Sequence, residues 1–180
     1  IGHLLEIGHD PRSIAAITFT NKAAREMRTR VAGLLRTDGT QQAVDALTIS
    51  TFHALGLRII RGHAAALRLK PSFSILDPAD IETLVAELIA TTDRARARAV
   101  QWTIGKWKNA LVSPAMAVQD AQSDNEAAAA KAYLRYDDTL RAYQAVDFDD
   151  LIGLPITLLE GSADAAATWR QRCAQLLIDE

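Results

Sequence analysis

The chain has 180 residues, 49% of them hydrophobic, with 20 Lys+Arg against 22 Asp+Glu and a formal charge of −2. That is long enough to bury a core, and too balanced for disorder or for a uniformly basic coat. One cysteine, Cys173, excludes a disulfide framework and a cysteine zinc site and fits a reducing cytoplasm, and no apolar run reaches the roughly 18 residues a membrane span needs.

In chain order, Ile14–Phe19 is a short apolar run after the turn signal Asp10-Pro11, as expected of a strand buried on both faces in a parallel sheet. A helix follows. Met27, Val31, Leu34 and Leu35 form its apolar stripe, Thr20 or Asn21 can cap it, and Asp38-Gly39 ends it. Leu47–Ser50 reads as a second strand and Phe52 to about Arg61 as a buried helix. Strand, helix, strand, helix points to an α/β domain.

From Asp77-Pro78 the pattern becomes helical. Ile81, Leu84, Val85, Leu88 and Ile89 make one stripe; Val100, Ile104, Trp107 and Leu111 make another, ending near Ser113-Pro114. Tyr133, Tyr136, Leu140 and Tyr143 make a third. An all-helical insertion is expected over about 55–155. Trp169–Cys173 then closes a helix, and Leu176–Ile178 reads as a last buried strand. Charge is uneven along this order. Residues 18–70 hold nine Lys/Arg against three acids, a local +6, whereas residues 71–180 carry −7. Such a split suits a basic face that meets an anion, although on composition alone a set of solvated helix faces is the favoured reading.

Four clusters could carry chemistry. Thr18–Ala24 lies where a strand meets a helix, so backbone N–H groups with Thr, Asn and Lys side chains could hold a phosphate. Phe19 could stack on a base or fill the core. Ser50–His53 follows the second strand, and two polar clusters at two such strand ends could share one surface. His53 could instead be a structural hydrogen-bonder; with His3, His9 and His63 it shows no metal-ligand spacing. Asp147, Asp149 and Asp150 could bind a hard cation, but Asp147 as a helix cap with Asp150 at the helix dipole is the favoured reading. Asp179-Glu180 puts two acids at a strand end, where phosphoryl-transfer enzymes hold Mg²⁺ and orient water. The 180 residues contain no G-x-x-x-x-G-K-[ST].

Together these segments resemble the UvrD/Rep/PcrA helicases of superfamily 1. Thr18-Phe-Thr-Asn-Lys-Ala-Ala-Arg-Glu-Met27 is similar to their motif Ia and Ile49-Ser-Thr-Phe-His-Ala-Leu-Gly-Leu57 to motif Ib. Asp147–Ile152 is similar to the segment that returns from the helical subdomain, and Leu176-Leu-Ile-Asp-Glu180 to the start of motif II. Trp107-Lys-Asn109 most resembles the Rep branch. The resemblance implies an ATP-driven helicase moving 3′ to 5′ on single-stranded DNA and opening duplex junctions, with replication or repair proteins as partners. It implies a RecA-like parallel sheet, subdomain 1A, over 1–54 and 155–180, and a helical subdomain 1B over 55–154.

By the same resemblance Phe19, Asn21, Lys22, Thr51, His53 and Phe148 are expected to touch DNA. Asp179 is expected to hold Mg²⁺ with ATP, and Glu180 to act as catalytic base. The chain is then expected to be a fragment running from just after the phosphate-binding loop to the start of motif II, and inactive as an ATPase alone. Two other readings stay open: the helicase portion of a RecB/AddA-type recombination nuclease, and a non-catalytic DNA-binding protein on a helicase-derived scaffold.

Overall fold

The computed structural model describes residues 1–34 and 40–179, leaving Leu35, Asp38-Gly39 and Glu180 outside the described residues. Along the chain run α1 (Gly2–Glu6), a 3-10 turn (Pro11–Ser13), β1 (Ile14–Thr18), α2 (Asn21–Leu34), α3 (Thr40–Ala46), β2 (Thr48–Thr51) and α4 (Phe52–Gly62). Then come β3 (Ser74–Ile75), α5 (Pro78–Leu88), α6 (Arg94–Asn109), α7 (Pro114–Asp120), α8 (Asp124–Tyr143), β4 (Ala145–Val146), α9 (Asp150–Gly161), α10 (Ala163–Arg172) and β5 (Gln175–Asp179). The chain divides into two compact units, Ile1–Ile59 with Leu158–Glu180, and Ile60–Thr157.

The first unit is α/β. Its sheet is fully parallel, in the order β2-β1-β5. β1 is buried along its whole length, as an apolar run in the middle of a parallel sheet must be. Ile14, Ala16, Val31, Val44, Leu47 and Ile49 form the core. Arg28 donates from Nη2 to the carbonyl of Ile49 at 3.1 Å, so one residue of the basic segment ties α2 to β2 rather than facing only water.

Three expectations change here. Leu34 is 74% exposed, whereas Met27 and Val31 of its stripe reach the core. Phe19 lies past the end of β1 and is 64% exposed, so it is not a core residue. Leu176 and Ile178 are 53% and 56% exposed, against the buried strand expected. β5 lies at the sheet edge and pairs only with β1 among the described residues.

The second unit is helical but not all-helical. β3 and β4 form a parallel pair, Ser74 beside Ala145 and Ile75 beside Val146. Two-residue strands are too short to show an alternating pattern, so periodicity misses them. Helix α5 starts as its sequence dictates. Asp77 Oδ1 accepts from the N–H of Ala79 (2.8 Å) and Asp80 (2.9 Å), and Asp80 Oδ2 accepts from the N–H of Asp77 (3.4 Å), a capping box with Pro78 at the first helical position. Ile81, Leu84, Val85, Ile104, Tyr133, Tyr136 and Leu140 make the core, and Trp107 stacks on Tyr133 at 5.9 Å. Leu111 and Tyr143 do not join it. Leu111 lies beyond α6 at φ 56°, and Tyr143 is 65% exposed at the last turn of α8. Ser113 starts α7 rather than ending α6, its Oγ accepting from the N–H of Met116 at 3.2 Å.

Candidate nucleic-acid interface

In the first unit the three strands end together. Thr18 closes β1 in register with Thr51 on β2 and with Asp179 on β5. The motif-like clusters after β1 and β2 therefore share the carboxyl edge of one sheet, where open α/β sheets bind ligands.

The turn after β1 is built for exposure. Thr20 Oγ1 accepts from the N–H of Ala23 at 3.1 Å and so caps α2. That cap leaves Phe19 outside, its ring 5.3 Å from that of Phe52 and tilted by 47°. Such spacing is typical of a stabilising aromatic pair, and it props up an aromatic face that remains open to solvent. Thr51 is buried, and its Oγ1 accepts from the N–H of Ala54 at 3.2 Å, capping α4.

Beside these caps lies an open groove of about 380 Å³, with Asn21, Arg25, Arg28, Ser50 and Thr51 among its lining. Asn21 and Thr51 at the start of two helices, with Ser50 and the guanidinium groups of Arg25 and Arg28 beside them, suit a phosphodiester. Of the expected contacts, Asn21 and Thr51 line the groove. Lys22 and His53 are exposed nearby in sequence but do not line it. Ser50, which opens the second polar cluster, lines it too, and so does Arg25, which belongs to the +6 segment and recurs one turn after Asn21.

The second unit holds Phe148, 49% exposed on the turn 147–150. Asp147 Oδ1 accepts from the N–H of Asp150 (2.9 Å) and Asp150 Oδ2 from the N–H of Asp147 (3.0 Å), so the cap reading of this cluster holds. Between the carboxylates sits an ammonium rather than a metal ion: Lys108 Nζ lies 2.6 Å from Asp147 Oδ2 and 2.7 Å from Asp150 Oδ1. Tyr136 Oη also donates to Asp147 Oδ2, at 2.7 Å. Asn109 Nδ2 donates to Asp149 Oδ1 at 3.1 Å.

Burial alone would lower the Lys108 pKa, but the charges of Asp150 and Asp147 outweigh it and raise it. Burial likewise works against the Asp147 carboxylate, which Lys108 nonetheless holds below the ordinary range. Asp150 is pushed up to about 6, by burial first and by the Asp147 charge beside it, against the pull of Lys108. Burial and the same carboxylates raise the Tyr136 phenol. The turn that presents Phe148 is thus fixed on both flanks.

Asp179 ends β5 as an exposed carboxylate. One hard-oxygen donor at a strand end fits Mg²⁺, which takes one or two carboxylates and completes its shell with phosphates and water. Glu180, the expected base, lies outside the described residues.

Comparison with known proteins agrees with these motifs. The UvrD/REP helicase N-terminal domain matches residues 1–180. The chain is 41% identical to the ATP-dependent DNA helicase Rep of Salmonella typhimurium, covering 100% of this chain and 27% of that protein. It is 37% identical to the ATP-dependent DNA helicase PcrA of Leuconostoc citreum, with 100% and 24% covered. It is also 37% identical to the ATP-dependent DNA helicase UvrD1 of Mycobacterium bovis, with 93% and 22% covered. The chain spans about a quarter of the length of these relatives. The match runs through all four motif-like segments, and the chain belongs to the UvrD/Rep helicase family.

Proposed function

We propose that this chain is the single-strand-gripping part of an ATP-dependent DNA helicase that moves 3′ to 5′ and unwinds duplex during replication or repair. The observation that supports this most is the shared register of Thr51, Thr18 and Asp179 at one sheet edge. It sets DNA-contact candidates just after β1 and at the end of β2 beside a nucleotide-side acid on β5. A movement of β1 relative to either neighbour would be felt at both.

In this reading Phe19 offers a base its exposed ring. Asn21, Arg25 and Thr51 hold the phosphodiester, with Lys22 and His53 flanking it, and Phe148 contacts a base from its own unit. Stacking binds without reading sequence, as translocation requires. Asp179 would hold Mg²⁺ in the complete nucleotide site, where the ion would neutralise charge on the transferred phosphate. Glu180 would orient the attacking water. Residues 1–54 and 155–180 would form subdomain 1A and 55–154 subdomain 1B. The 180 residues contain no phosphate-cradling G-x-x-x-x-G-K-[ST], so the chain alone is inactive as an ATPase.

The test is binding and hydrolysis by the purified chain. Fluorescence anisotropy with labelled oligothymidylate should show weak binding that falls steeply with salt, because Lys and Arg release counterions from phosphate. ATP hydrolysis should stay at the buffer rate with or without DNA. Salt-independent binding, or DNA-stimulated hydrolysis by the chain alone, would overturn the proposal.

A further inference from the structure

Helix α6 carries an aromatic and cationic face that the motif-like segments do not include. Trp102 is 67% exposed, more than any other aromatic side chain among the described residues. Tryptophan is rarely left this open, since its large apolar surface gains most from burial. Trp102 is not among the apolar positions that α6 buries or packs on the core, Ala97, Val100, Ile104 and Trp107.

Its neighbours on the helix surface are basic. Arg98 and Lys106 lie one turn before and one turn after it, on the same face. Lys106 Nζ sits over the indole, 4.8 Å from the ring centroid. An open cleft of about 660 Å³ runs along this face, with Arg98, Trp102, Lys106, Asn109 and Asp149 in its lining. Two acids approach it. Glu82 pairs with Arg98 at 2.8 Å and with Arg94 at 2.6 Å, and Asp149 accepts from Asn109. No acid pairs with Lys106 among the described residues, so its charge remains available above the ring.

The cleft reaches Asp149, which adjoins Phe148 on the turn already assigned to DNA. An open aromatic face with a cation at its side is what a stacked base with its phosphate requires. A protein docking surface of comparable strength would instead centre on several apolar side chains in a packed pocket. Here the indole is the one large apolar group in the cleft.

We propose that Trp102, with Lys106 and Arg98, is an additional contact for single-stranded DNA, the indole stacking on a base and the cations flanking the phosphates. The proposal rests on the helicase reading above and extends the strand's path along α6.

Titration of the 180-residue chain with oligothymidylate of about 16 nucleotides tests it, because intrinsic fluorescence separates the tryptophans. Trp102 is the exposed one; Trp107 is stacked on Tyr133 and Trp169 is 6% exposed. DNA should quench the wild-type signal. Trp102→Ala should weaken binding about tenfold, the low end of the range for loss of one base stack, while Trp102→Phe stays within about threefold. Both should melt with the wild type. Unchanged affinity in Trp102→Ala, beside weakened binding in Phe19→Ala, would overturn the α6 contact and leave the helicase reading standing. No binding by the wild-type chain would overturn both. Preference for blunt duplex over oligothymidylate, insensitive to Trp102, would also overturn it.

Discussion

Lys108 reaches across 39 residues of sequence to Asp147, its Nζ 2.6 Å from Oδ2, with both side chains less than a tenth exposed. This pair joins the end of α6 to the turn that starts α9. Each partner is also held elsewhere: Lys108 by Asp150, and Asp147 by Tyr136 and its own capping box. A buried charge group so fully satisfied adds more to geometric definition than to net stability. What it defines is the backbone that projects Phe148.

Lys108→Met should therefore be costly. It leaves two carboxylates facing each other without a cation, a loss of about 3 kcal/mol by the usual cost of breaking a buried pair. Thermal or urea unfolding measures this. A change below about 0.5 kcal/mol would show that solvent reaches the cluster, as at exposed pairs.

The same cluster sets a pH dependence. Asp150 is pushed up to about 6 from the ordinary 3.8, so between these values the folded chain binds the extra proton. Stability contributed by this group is greatest in acid and declines as pH rises through about 6, by at most about 1.4 kcal/mol per pH unit. Asp147 runs the other way: its pKa is lowered, so its contribution is present above 3.8 and lost below it. Over pH 4–7, wild type should lose stability relative to Asp150→Asn as pH rises. Parallel melting curves across that range would contradict the assignment.

Local features of the fold were legible in the sequence. The helix start at Asp77-Pro78, the Thr20 cap and the buried run of β1 each depend on residues close to one another in sequence. Long-range ones were not. The β3–β4 pair joins residues some 70 apart through two-residue strands, and neither has a pattern to read. Lys108 left a trace: it falls four residues after the buried Ile104, so a charge stands on the core stripe and needs a buried acid. The exposure of Leu176 and Ile178 left none, since hydropathy alone does not tell a sheet's edge strand from its middle one. Of the residues that motif resemblance names, Asn21 and Thr51 line the folded groove, which brings Arg25 and Ser50 to them.

Thr20→Ala tests the cap that exposes Phe19. Losing the 3.1 Å bond to Ala23 N–H should cost about 1 kcal/mol, the usual value for an N-cap. Thr20→Ser should restore it. Equal stability of all three would mean that water caps this helix end equally well.

Phe19→Ala separates binding from packing most directly. The ring is 64% exposed and touches Phe52, so removal forfeits one aromatic pair, about 1 kcal/mol. A base stacked on it contributes about 1–3 kcal/mol by alanine substitution, so oligothymidylate affinity should fall by roughly 5- to 160-fold. His53→Ala, on the exposed first turn of α4, should weaken binding less. Arg25→Gln should lower the slope of log affinity against log salt by about 0.7, the value for one neutralised phosphate on a single strand, where Phe19→Ala leaves the slope unchanged. Stacking and charge then separate as two measurements. If Phe19→Ala instead lowers the melting temperature sharply and leaves affinity intact, the ring is a packing element and the DNA runs elsewhere.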